Sequence, residues 1–418
     1  MDKKILDRHK ATVINLINHY DGRSPFHLYL RKYFSENKKH GSKDRKLITG
    51  LCYGYFRLGQ SSLALQEGEN SLSLSDVIGL GGYIAGILPA LLGLPESLSK
   101  SVAVDHINTP LARFDFVAGY YKDLKQQYLF PFKAATSKDL NLHAFQVSLL
   151  RQPDVFLRIR PLSEYQTTVL NLLHKHQIFY RQYDEWTVAV ESHTQVKTIL
   201  PINKKVMIQD ISSQRTGLFM EMIVENIKKY ALETKTNQIQ IWDACAASGG
   251  KSILAWDILT KSGFKPTLTV TDIRDNILKN LDTRFKEAGI HGYQKQVIDL
   301  LKDDPLPIKK AFDIVICDAP CSGSGTWARN PEHLLSFKEA QLEQFYQTQT
   351  KIAQKTWSAV KKGGYFLYLT CSVFEKENED VIQFIEKESA MTLINTQLIS
   401  CTKENGDSMF GALFYRSK

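Results

Sequence analysis

Two stretches of the chain carry a thiol just past an apolar run. Phe312–Asp318 leads into Asp318-Ala-Pro-Cys321-Ser-Gly-Ser-Gly325, and Tyr365–Thr370 leads into Thr370-Cys371-Ser372. A cysteine by itself is more often a small buried hydrophobe than a nucleophile, and Cys52, Cys317 and Cys401 are read that way. Cys321 and Cys371 differ because each follows the end of an expected strand, and the Pro-Cys-Ser-Gly turn exposes the backbone around Cys321. A thiol is needed where the accepting atom is a poor nucleophile. A nitrogen has its own lone pair, whereas carbon 5 of a pyrimidine does not. Thiolate addition at carbon 6 converts the ring into an enamine that can attack an electrophilic methyl group, which is covalent catalysis. Asp318, close to the base, would hydrogen-bond N3 and the exocyclic amine of a cytosine. Loss of the carbon 5 proton and expulsion of the thiolate complete the scheme, for which two cysteines and one aspartate suffice.

The methyl donor has its own signature. The strand Ile239–Asp243 runs into Asp243-Ala-Cys245-Ala246-Ala247-Ser248-Gly249-Gly250-Lys251, where small residues and paired glycines open a helix and let backbone approach a ligand at the helix N-terminus. The segment is neither GxGxxG nor GxxxxGK[ST], which speaks against a dinucleotide dehydrogenase and a phosphate-loop NTPase. Val270-Thr-Asp272 ends the next strand in a carboxylate placed to accept from two ribose hydroxyls. An acid there without a phosphate-binding loop favours a nucleoside lacking a pyrophosphate, and S-adenosylmethionine meets that description. Asp299, after Gln296-Val-Ile, is the candidate for the adenine amino group, with Asp303 and Asp304 as neighbouring alternatives.

These residues need a scaffold that gathers strand ends. Ile239–Asp243, Thr267–Asp272, Phe312–Asp318 and Tyr365–Thr370 are short apolar runs, each followed by a helix-compatible stretch, which predicts an α/β, doubly wound sheet over residues 206–418. Such sheets bind ligands at the carboxyl ends of their strands. Residues 141–205 read as a small α+β module: Val155–Ile159 and Trp186–Val190 are strand-like and Ser163–His174 is amphipathic. Arg151, Arg158 and Arg160 lie among Phe156 and Tyr180, a mixture suited to single-stranded RNA. Residues 1–140 read as helical. Ser24-Pro25 predicts a capped helix with proline in its first turn, followed by Phe26, Leu30, Tyr33 and Phe34 at helical spacing. A second apolar stripe runs through Leu47, Leu51, Tyr55 and Phe56, decorated by Lys43, Arg45, Lys46 and Arg57.

The charge is unevenly spread. Of the net +9, residues 1–60 hold +8, with 13 lysines and arginines against 5 acids, while the other 358 residues are nearly neutral. A basic block of this kind points to a polyanion such as a nucleic acid backbone. No secretory signal opens the sequence, so a cytoplasmic location is expected. Val77–Pro95 is uncharged for 19 residues but interrupted by five glycines and Pro89, and reads as buried helix rather than a membrane span. No CxxC pair exists to hold zinc and His174-Lys-His176 is isolated, so no metal is expected.

Taken together, Asp243–Lys251, Asp318–Gly325, Thr370–Ser372 with Glu377-Asn378-Glu379, and Ile208-Gln209-Asp210-Ile-Ser-Ser213-Gln214 resemble the Sun family of RNA cytosine-5 methyltransferases, in its bacterial 16S ribosomal RNA branch. The segment Asp44–Arg57 is similar to the antitermination-factor-like helical RNA-binding domain of that branch. The resemblance implies a class I S-adenosylmethionine-dependent methyltransferase domain over 206–418, preceded by RNA-binding modules. It implies that Cys371 is the nucleophile and that Cys321 promotes product release. DNA cytosine-5 methyltransferases instead use the Pro-Cys thiol as nucleophile. It also implies that Cys245–Lys251 form the cofactor loop, that Asp272 meets the ribose and Asp299 the adenine side, and that Asp318 lies between cofactor and base. RNA, 16S ribosomal RNA or a small-subunit precursor, is the implied partner, with no membrane and no obligate protein partner. A non-catalytic RNA-binding assembly factor, or methylation of tRNA or DNA, are the alternatives. Two positions depart from the family pattern: Ser248 replaces a proline, which is expected to loosen the loop, and Ile277 stands where arginine is common.

Overall fold

The computed structural model describes residues 3–68, 71–99, 107–230, 237–302 and 305–417, so Asp303 and Asp304 lie outside it. A small antiparallel sheet comes first in the chain: β1 (Val155–Ile159), β2 (Tyr180–Gln182), β3 (Thr187–Val190) and β4 (Val206–Ile208), in the order β2-β3-β1-β4. The larger sheet follows: β5 (Gln238–Asp243), β6 (Lys265–Asp272), β7 (Gln294–Val297), β8 (Phe312–Asp318), β9 (Val360–Thr370), β10 (Met391–Ser400) and β11 (Ser408–Arg416). Its order is β10-β11-β9-β8-β5-β6-β7, parallel from β7 to β9, with β11 antiparallel to both of its neighbours. The strand order reverses between β5 and β8, which makes the carboxyl ends of those two strands the switch point where such a sheet opens a crevice.

Alternate side chains along the central strands feed two cores. Ile241, Ile314, Ile316 and Leu367 pack with Phe219, Ile253, Leu259 and Phe285 on one face. Trp242, Val315, Phe366 and Tyr368 pack with Ile352, Trp357, Val381 and Ile385 on the other. Burial of both faces explains why these strands read as near-continuous apolar runs.

The chain divides into two compact units. One holds residues 134–140, 153–325 and 340–418, so both sheets share it. Arg158 and Arg160 of the small sheet converge there on Asp257, in the helix Gly250–Lys261, each at 2.7 Å. Arg160 also donates to the carbonyls of Ala288 and Lys204, and Phe156 is buried. Expected to face RNA, these two arginines are instead buried structural ties: the Asp257 carboxylate, the Gln209 side-chain oxygen and two backbone carbonyls take up all their donors but Arg158 Nη2.

The other unit holds residues 1–133, 141–152 and 326–339 and is helical. Leu6, Val13, Leu30, Leu51, Phe56 and Ile78 belong to its core. The helix Phe26–Glu36 starts one residue later than expected: Pro25 is its N-cap and Ser24 makes no side-chain cap. The Phe26 N–H donates instead to the buried carboxylate of Glu332, at 3.1 Å and 306 residues away. Arg57 is likewise buried, donating to the carbonyls of Leu149 and Arg151, with burial pulling its pKa down to about 10. Arg31, Lys32, Lys38, Lys39, Lys43 and Lys46 remain exposed. Val77–Pro95 folds as the end of the helix Leu74–Ile84, a turn and the short helix Ala90–Gly93. A Cβ on Gly81 would meet the Gly54 carbonyl oxygen at 2.6 Å, so the glycines there serve close helix packing. Among the described residues no helix is long and apolar enough to cross a membrane.

Candidate active site

The carboxyl ends of β5, β6, β8 and β9 bring the expected residues together. From β5, Asp243 leads through Ala244–Gly249 into the helix Gly250–Lys261. The loop turns through two left-handed residues, Ala247 with φ 45° and Gly249 with φ 83°. At Gly249 a Cβ would strike the Phe285 ring at 2.6 Å, whereas the Cβ position of Gly250 faces open space. Backbone there is bare toward a ligand and packed tightly behind.

The Ala247 N–H donates to Asp272 Oδ2 at 2.9 Å, joining the β5 loop to the end of β6. Arg274 closes on the same carboxylate through its backbone N–H and its guanidinium, at 2.9–3.0 Å. Burial pushes the Asp272 carboxyl up, but these hydrogen bonds outweigh it and hold the pKa below the usual carboxylate value. Asp299 follows β7, accepts from the Leu301 N–H at 3.0 Å and lies 3.5 Å from Lys302. In the same loop the Cys245 thiol is raised well above its ordinary pKa by a hydrogen bond with Cys317 and by burial.

Ser248 is tied by hydrogen bonds. Arg284 donates to its hydroxyl at 2.7 Å and to its carbonyl at 3.0 Å, and reaches Asn203 on its other side. Hydrogen bonds thus supply restraint that a proline ring would have supplied covalently.

Lys251, expected in the cofactor loop, turns its ammonium toward Ser213 and Asp318. It donates to Ser213 Oγ at 2.7 Å and lies 3.6 Å from Asp318 Oδ2. Ser213 also accepts from Gln209, which places part of the Gln209–Gln214 motif behind this lysine. Only the strand order puts Lys251 beside Asp318; loop membership was the sole signal in the sequence.

Cys321 and Cys371 meet with their sulfur atoms 3.3 Å apart. A hydrogen bond with Cys371 and burial push the Cys321 thiol well above its ordinary pKa. The Gly325 N–H donates to the Cys371 carbonyl at 2.9 Å, and a Cβ on Gly325 would fall 2.2 Å from the Ser408 carbonyl oxygen, so no larger residue fits there. The residues after both cysteines, Ser322 and Ser372, hydrogen-bond one buried carboxylate, Glu377. Asn378 accepts from Thr370 and donates to the Ser372 carbonyl, and Glu379 accepts from Ser137. Sequence reasoning singled out Glu377-Asn378-Glu379 as a motif but not what its side chains touch.

The donor set fits an S-adenosylmethionine-like nucleoside. Its features are the bare backbone at Gly250, the Asp272 carboxylate at a strand end and a buried Asp243 whose Oδ1 has no hydrogen-bond partner.

Comparison with known proteins agrees with this geometry. Residues 229–413 match the model of the family described as 16S rRNA methyltransferase RsmB/F. Among curated proteins, the ribosomal RNA small subunit methyltransferase B of Photorhabdus laumondii is 28% identical, covering 86% of each chain. The probable ribosomal RNA small subunit methyltransferase B of Coxiella burnetii is 25% identical, over 85% of this chain and 84% of its own. The fold matches the crystal structure of PH0851 with TM-score 0.67 and 18% identity, covering 100% of this chain and 99% of the other. It also matches NSun6 from Pyrococcus horikoshii, crystallised with SFG, at TM-score 0.53 and 14% identity, over 69% of this chain and all of that one. A seven-stranded α/β sheet, a bare-backbone loop at its switch point and paired strand-end thiols thus lie within the stretch, residues 229–413, that is similar to the 16S rRNA methyltransferase RsmB/F family model.

Proposed function

We propose that the protein transfers a methyl group from S-adenosylmethionine to carbon 5 of a cytosine in 16S ribosomal RNA. The observation that carries this reading is the 3.3 Å approach of Cys321 and Cys371 at the sheet edge that also holds Asp318 and the Asp243–Lys251 loop. When bound, S-adenosylmethionine supplies an electrophilic methyl on a sulfonium. The backbone of Ala246–Gly250 would lie against it, Asp272 would accept from the ribose hydroxyls where Arg274 now donates, and Asp299 would meet the adenine side.

Cys371, as the thiolate, forms a bond to carbon 6 and drives the ring electron pair onto carbon 5, which takes the methyl group. The Asp318 carboxylate accepts from the exocyclic amine, and from N3 once that nitrogen is protonated in the adduct, and so stabilises the adduct, with the Lys251 ammonium balancing its charge. Loss of the carbon 5 proton restores the double bond and expels the Cys371 thiolate, a release that Cys321 promotes. The base must leave its stack to reach the thiols, so a single-stranded loop or a partly assembled subunit in the cytoplasm suits the reaction. Exposed lysines of the helices Phe26–Glu36 and Ser42–Arg57 supply the phosphate contacts.

Incubating the wild type, Cys321→Ala and Cys371→Ala with labelled S-adenosylmethionine and undermodified 16S rRNA tests this. Cys321→Ala should accumulate a covalent protein–RNA adduct, and Cys371→Ala should give neither adduct nor methylated base. Full activity in Cys371→Ala would overturn the mechanism. Label confined to tRNA or DNA would overturn the substrate, and no transfer by the wild type would leave a binding protein.

A further inference from the structure

Resting on that assignment of the two thiols, we propose that Glu377 is a positioning residue that sets the separation of Cys321 and Cys371. The residue immediately after each thiol is fastened to it. Ser322 donates through its backbone N–H at 2.7 Å and its hydroxyl at 2.5 Å, and Ser372 donates through its hydroxyl at 2.5 Å. Gln349, in the helix Gln341–Trp357, adds a donor at 3.1 Å and holds the Pro320 carbonyl at 3.0 Å. Glu377 itself is fixed by Tyr368, whose hydroxyl donates to the Glu377 carbonyl at 2.8 Å.

A carboxylate suits this role because it only accepts, and its two oxygens can take all four donors at once. A glutamine could accept at one atom alone. The cost of the arrangement argues against a scaffold role. Glu377 is fully buried and forms no salt bridge among the described residues, and a buried charge without a counter-ion is among the least favourable groups in a core. An apolar residue would pack that space more favourably, but it would remove the one carboxylate that holds the residues after both thiols, leaving the loop 320–325 and the turn after β9 joined through Ser324 and the Gly325–Cys371 hydrogen bond. Both thiols must act on the same base within one cycle, so their spacing bears on turnover rather than on binding.

The test compares steady-state methylation by full-length Glu377→Ala, Glu377→Gln and Ser322→Ala. A displacement of about 1 Å between reacting groups can cost about 100-fold, so Glu377→Ala should lose about that much in kcat, with KM for RNA and cofactor within about threefold. Glu377→Gln should recover part of the loss, and Ser322→Ala combined with Glu377→Ala should lose little beyond Glu377→Ala alone, because the two share one interaction. Phenylarsine oxide, which bridges closely spaced thiols, gives a readout independent of turnover: capture by the Cys321–Cys371 pair should slow in Glu377→Ala. Wild-type kcat and wild-type capture in that variant would overturn the positioning role, as would a loss confined to KM. Should Glu377→Ala fail to fold, Glu377→Gln and Ser322→Ala decide by the same measurements. Cys371→Ala, run alongside, separates the two ideas: if it stays active the thiol assignment fails, whereas an inactive Cys371→Ala beside a wild-type Glu377→Ala rejects only the positioning.

Discussion

The sulfur of Cys321 lies 3.3 Å from that of Cys371, and the contact raises the Cys321 thiol through a shared hydrogen bond as well as burial. Removing Cys371 removes the larger of these causes, so the Cys321 pKa should fall and its thiolate fraction at mildly alkaline pH should rise. Iodoacetamide should therefore label Cys321 faster in Cys371→Ala than in the wild type, as read by peptide mapping. Equal or slower labelling would show that burial alone governs this thiol.

Asp243 provides a pH test of the loop. Burial lifts its carboxyl from 3.8 to about 7, against the Ser252 hydroxyl that donates to it at 2.5 Å. The folded state holds this proton more tightly than the unfolded state. The stabilisation is complete below pH 3.8 and is lost as pH rises through about 7. Asp243→Asn keeps the shape and the acceptor without the charge. Its stability relative to the wild type should grow across that window, by on the order of 4 kcal/mol at most. Urea denaturation at stepped pH measures the difference, and a pH-independent difference would contradict it.

The tie between Arg284 and Ser248 should be felt by the cofactor rather than by the chemistry. Ser248→Ala deletes the 2.7 Å hydrogen bond and should weaken S-adenosylmethionine binding by about 1 kcal/mol, or about fivefold. The effects of Ser248→Ala and Arg284→Ala should be less than additive in calorimetric titrations. Unchanged affinity in both variants would mean that the backbone alone holds the loop.

Thr326–Glu339 follows directly on the loop that carries Cys321, yet its core lies in the helical unit. Trp327 is fully buried against Phe130, Phe132 and Phe337, with ring centroids 5.0–5.8 Å away. Trp327→Ala should cost about 3–5 kcal/mol in thermal or denaturant unfolding of that unit. Cutting away residues 1–133 would strip this cluster of its partners, so the truncated protein should aggregate instead of reporting on RNA affinity. Charge changes avoid that problem. Lys43→Glu with Lys46→Glu should weaken RNA binding and lower its salt slope by about 2 while leaving cofactor affinity intact. An unchanged slope would place the phosphate contacts elsewhere.

Strand-end residues were legible because parallel strands buried on both faces announce themselves as apolar runs, and whatever follows such a run lies at the ligand edge. Asp243, Asp272, Asp318, Cys321 and Cys371 were found this way, and each stands at or just beyond a strand end. Arginine beside aromatic residues was a weaker guide. Arg158 and Arg160 have the composition of an RNA surface, but sequence cannot tell a solvated guanidinium from one that Asp257 has claimed about 100 residues further on.

Composition and motif order by themselves determined the α/β class of the catalytic half, the helical basic start and the types of reacting group, since these depend on local periodicity and chemistry. Tertiary structure alone decided which groups meet: the two sulfurs, Lys251 with Asp318, Glu377 with both serines, Glu332 with the start of the Phe26–Glu36 helix. Those contacts join residues up to 306 positions apart. They follow from strand order and loop path, which no periodicity along the chain encodes, so the distance that brings the two thiols together appears only once the sheet has closed around them.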